Sequence, residues 1–112
     1  MKDLFVPYEI ALQLKELGFD EPCFATWNGE TLDMSLQIPS DYYFTKAPIF
    51  AQAFEFFREK YNLFGQVNIH TYFIYDISNL EMVKEYDKLT KTYKETELAC
   101  LIKLIEITKN KI

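Results

Sequence analysis

A chain of 112 residues, 49% hydrophobic and 26% charged, fits one domain, 1–112, able to bury about two thirds of its unfolded surface without a disulfide or metal framework. Its formal net charge is −5 and no basic run occurs, which argues against a face that reads a nucleic-acid backbone, so nucleic acid is not an expected partner. No apolar run approaches the roughly 20 residues of a membrane span, and Glu9, Lys15 and Glu16 interrupt the N-terminal pattern where a signal peptide would be continuous; the expected setting is the cytoplasm, with no membrane partner.

The first predicted element is a helix over Pro7–Leu17. Proline suits its first position and Gly18 the residue beyond its end. Ile10, Leu14 and Leu17 share a face, and Phe19 can pack back on the last turn. Next, Asn28-Gly29 separates two β-compatible runs, a hairpin signal because both residues tolerate positive φ. Beyond it Leu32, Met34, Leu36 and Ile38 alternate with polar residues, the period of a strand with one wet face. Residues 40–48 read as a loop. Pro48 opens a second helix reaching Asn62, with Ile49, Ala53, Phe54, Phe56, Phe57 and Tyr61 on one broad side and Gly65 marking the exit.

"QVNIHTYFIYDI" reads as one strand, with Val67, Ile69, Thr71, Phe73, Tyr75 and Ile77 on one face and Asn68, His70, Tyr72, Ile74 and Asp76 on the other. Ser78 and Asn79 are turn residues. A fourth strand around Met82–Tyr86 is the preferred reading of the next segment. A short helix is its rival, since Ser78 and Glu81 have capping-box spacing. The last helix starts at a better box, Thr92 with Glu95. The expected fold is α+β, in the order α-β-β-α-β-β-α, with a four-stranded, mostly antiparallel sheet and three helices packed on one face.

The blocks "YEIALQLKELGFDEPCFATWN", "APIFAQAFEFFREKYNLFG" and "TYKETELACLIKLIEITKN", with the strand after the second, cover most of the chain. As a set they resemble a family of small uncharacterised proteins from phages and integrated mobile elements of gut Bacteroidales. This chain has Asn62 where the family commonly has glycine, and Lys94 and Thr96 where it tends to have Glu and Ala. These positions are expected on exposed helix surface or at a helix end. The resemblance implies a bacterial cytoplasmic setting and a phage or mobile-element origin, and assigns no activity to any residue.

Chemistry-bearing residues are sparse. Gly18, Gly29 and Gly65 are too scattered for a phosphate-cradling loop. His70 is the single histidine, and its strand companion Asp76 is not spaced to orient it as a general base. One histidine with the distant Cys23 and Cys100 forms no metal-ligand pattern, and both thiols are expected free. Glu55 and Glu59 are flanked by Arg58 and Lys60 and read as a solvated face. No catalytic residue, metal or cofactor is therefore expected. Ring-bearing residues are abundant, ten Phe and eight Tyr, and most serve a core. The ligand or partner candidates are Trp27, Tyr42, Tyr43, Phe44 and His70. On the last helix Leu98, Leu101, Ile102 and Ile105 form a stripe assigned to the sheet. Cys100, Leu104 and Ile107 form a second stripe, either covered by a neighbouring helix or left as a homodimer or partner surface. The expected function is a non-enzymatic protein-interaction module that meets a protein partner or itself. The alternative is a small enzyme or ligand-binding domain using the strand face near His70 and the Tyr42–Phe44 loop.

Overall fold

The computed structural model describes residues 4–34, 45–69, 71–79, 81–86 and 92–111. The chain is α+β, with element order α-β-β-β-α-β-β-β-α. It forms two compact units, Met1–Ala53 and Phe54–Ile112.

In the first unit, Pro7 stands just ahead of α1 (Tyr8–Glu16). Its carbonyl accepts from the Ile10 and Ala11 amides at 3.0 and 2.8 Å. The helix ends as Gly18 predicts. At φ +99°, Gly18 lets its own N–H reach the Lys15 carbonyl at 3.0 Å, while the Phe19 N–H reaches Leu14 at 2.9 Å. This paired closure is a Schellman motif, and its hydrophobic members Leu14 and Phe19 are both buried.

β1 (Ala25–Asn28), β2 (Thr31–Asp33) and β3 (Thr45–Ala47) form an antiparallel sheet in the order β2-β1-β3. The hairpin exists, but its turn lies one residue later than expected. Asn28 pairs with Thr31, so Gly29 and Glu30 are the central residues. Gly29 has φ +59° and Glu30 is not at positive φ, the sign pattern of a II′ turn with glycine first. Residues 35–40, where the β2 alternation was expected to continue, lie outside the described residues. β3 lies within residues 40–48, which the sequence presents as loop. Thr45 and Ala47 are buried and Lys46 half-buried, a period of two too short to stand out beside Pro48. α1 packs against β3, and the Val6 amide donates to the Pro48 carbonyl at 2.8 Å.

α2 (Phe50–Tyr61) contains the boundary between the units. Its stop is Asn62, in the left-handed region at φ +56°, and not Gly65. Asparagine is the side-chain-bearing residue that best tolerates this conformation. Gly65 instead lies inside β4 (Leu63–Val67), opposite Ile74.

The second sheet is an antiparallel meander of β4, β5 (Tyr72–Asp76) and β6 (Glu81–Tyr86). The expected single strand through residues 66–77 is therefore two strands of a hairpin. The Asn68 amide donates to the Thr71 carbonyl at 2.8 Å, and Val67 pairs with Tyr72. Opposed residues share a face, so the alternation changes parity across the turn. Leu63, Tyr72 and Ile74 are buried together while Phe64 is exposed and Phe73 and Tyr75 half-buried. The sequence holds neither Gly nor Pro at that turn to announce it. The strand reading of Met82–Tyr86 is met by β6. Ser78 and Asn79 sit in the preceding turn, where Asp76 Oδ1 accepts from the Ser78 amide at 3.0 Å and Asn79 Oδ1 from Glu81 at 3.1 Å.

α3 (Tyr93–Lys111) packs across β4 and β5. Thr92 Oγ1 accepts from the Glu95 amide at 3.1 Å, the expected cap. Thr96, expected on exposed surface, is fully buried. Its hydroxyl is 3.1 Å from both the Ile69 and the Thr92 carbonyls, so it ties the helix to the β4–β5 connection. The four-stranded sheet is thus corrected to two three-stranded sheets. Two strands, β3 and β4, were hidden as a loop and as a helix exit, and one predicted strand was a hairpin. The expected layer of three helices on one sheet falls with it.

Candidate functional site

The expected site residues separate into three groups. Trp27 is 3% exposed on the central strand of the first sheet. Its Nε1–H donates to the Val6 carbonyl at 3.0 Å, and its ring lies 6.3 Å from that of Tyr8. It is a core residue with its polar edge satisfied, and not an exposed partner anchor. Tyr42, Tyr43, Phe44 and His70 lie outside the described residues. Cys100 and Leu104 are fully buried, so of the two alternatives for the second stripe they take the covered one, and Ile107 is half-buried. The stripes of α3 are rotated from expectation. Thr96, Cys100, Leu101, Leu104, Ile105 and Thr108 are buried, while Ile102, assigned to the sheet, is 44% exposed.

Titratable groups with altered behaviour are structural anchors. The Lys46 ammonium donates to Asp20 Oδ1 at 2.9 Å and holds that carboxyl below its ordinary range. Hydrogen bonds from the Ser78 hydroxyl and amide do the same for Asp76, with Lys111 adding charge from 3.5 Å. Both carboxylates are accepting partners, the opposite of a group kept protonated for acid catalysis. Both thiols are free. Burial pushes Cys23 up to about 11 and Cys100 up to about 12, so neither is an activated nucleophile near neutral pH. Among the described residues no group of three or more His, Cys, Asp or Glu side chains is placed to hold a metal ion. Nor is any described helix long and apolar enough to cross a membrane.

A cleft of about 230 Å³ opens in the first unit, lined by Ala11, Lys15, Gly18, Phe19, Asp20, Thr45 and Lys46. Its polar rim is dominated by the Lys46–Asp20 pair. That pairing makes the rim a strut between β3 and the turn after α1.

The outer face of the second sheet is different in character. Pairing places Phe64 opposite Tyr75, and Tyr75 opposite Met82, in a row across all three strands. Phe64 is 37% and Met82 50% exposed. Phe73, next to Tyr75 on the same face, stacks its ring 6.4 Å away at 27°. A register shift opposite Ile74/Tyr75 leaves Val83 without a partner. Val83, at this bulge, is 42% exposed. The Arg58 guanidinium lies 5.7 Å from the Phe64 ring centre and edges the row. Reading the chain alone missed this surface, because a continuous strand through residues 66–77 grouped Phe73 and Tyr75 with Val67. The available signal was the run of apolar residues on both parities of "YFIYDI", which a one-sided strand does not need.

Charge divides unevenly along the chain. Residues 1–53 hold eight acidic and three basic side chains, and residues 54–112 hold nine of each. The net −5 therefore belongs to the first unit, and the unit carrying the aromatic row is formally neutral. Comparison with protein-family models, with curated proteins and with solved structures gives no match for this chain.

Proposed function

We propose that this chain is a non-enzymatic protein-interaction module. The observation that carries the reading is the row Phe64–Tyr75–Met82, extended by Phe73, on the outer face of the second sheet. Half-exposed rings and a thioether on a paired, rigid sheet suit contact with another apolar surface. The exposed apolar area is roughly 300–400 Å² if each large side chain offers about 150–250 Å² when bare. A stable interface needs about 800 Å² from each partner, so the contact is reversible, and the partner proposed is a different polypeptide with a matching apolar segment. The thiols support the non-enzymatic part, since burial keeps both protonated near neutral pH.

The same proposal keeps a cytoplasmic setting and, on the strength of the block resemblance alone, an accessory role in a phage or mobile element. Phage or integration genes beside the coding sequence would support that origin. The contact surface is tested by placing a photo-reactive phenylalanine analogue at Phe64, at Met82, and at the exposed helix position Asn110 as control. Irradiation in host cells is expected to give discrete heavier adducts from positions 64 and 82 and none from 110. Adducts from 110 alone would overturn the assignment of the surface, and adducts of the chain with itself would replace the foreign partner with a second copy.

A further inference from the structure

We draw no further inference here: the strongest candidate, the cleft between α1, the turn after it and β3 in the first unit, has the Lys46 ammonium on its rim already held by Asp20, and nothing in the structure shows what would occupy it.

Discussion

A methyl group at Gly65 would stand 3.0 Å from Cys100 Sγ and 3.0 Å from Phe54 Cε1, tighter than most packed contacts, so both neighbours would have to give way by a few tenths of an ångström. This glycine matters for the approach of α3 and Phe54 to β4 and not for a turn. Gly65→Ala is expected to destabilise the chain by about 1–3 kcal/mol through overpacking, read by urea unfolding. Adding Cys100→Ala removes one of the two obstacles, so the double variant should lose less than the sum of the singles. Strict additivity would show that the sulfur does not set the spacing. The thiols make a second prediction. Burial raises both, with Lys46 opposing at Cys23 and Glu97 adding at Cys100. The folded chain thus holds these protons more tightly than the unfolded chain, whose thiols titrate near about 8.5. Their contribution to stability is full below that value and is lost as pH rises through about 9 toward 12. Urea midpoints should fall over that window, and less steeply in the Cys23→Ala/Cys100→Ala variant. Equal slopes would contradict the burial assigned to the two sulfurs.

At the scale of elements, α3 gives the cleanest contrast. Leu104 is fully buried and Ile102 is 44% exposed. Leu104→Glu places an unpaired charge among apolar neighbours and should leave no cooperative unfolding transition. Ile102→Glu should change stability by no more than about 0.5 kcal/mol. Circular dichroism and urea titration of the two variants decide it, and a folded Leu104→Glu chain would return Leu104 to the surface. Helices were largely legible in the sequence because their boundaries rest on local chemistry. Pro7, Gly18 and the Thr92–Glu95 cap each act within a few residues. The sheets were legible only in part. Strand pairing is non-local, and a short connection without Gly or Pro leaves no mark when apolar alternation runs through it on both sides. Gly65 misled for a related reason, since a glycine that permits close packing looks the same in sequence as one that ends a helix. Trp27 and Cys100 stand among the surface candidates of the sequence because nothing local distinguishes a buried ring or thiol from an exposed one. The missed surface becomes visible once Val67 and Tyr72 are known to oppose each other.

At the scale of the whole molecule, the division of charge and the division of apolar surface do not coincide. The acidic half of the sequence is the first unit, and the aromatic row belongs to the neutral second unit. Partner binding through the row should therefore depend on apolar burial, with little help from long-range attraction. A partner drawn instead by the acidic unit would be released as salt shortens the screening length from about 10 Å at 0.1 M to about 3 Å at 1 M. The most direct test of binding through the row is capture from host lysate by the wild-type chain and by a folded Phe64→Glu/Met82→Glu variant, at low and at high salt. A specific protein is expected to be retained by the wild type at both salt concentrations and lost by the double variant at both. A protein captured equally by the two chains, or released from the wild type by salt alone, would contradict binding through the row.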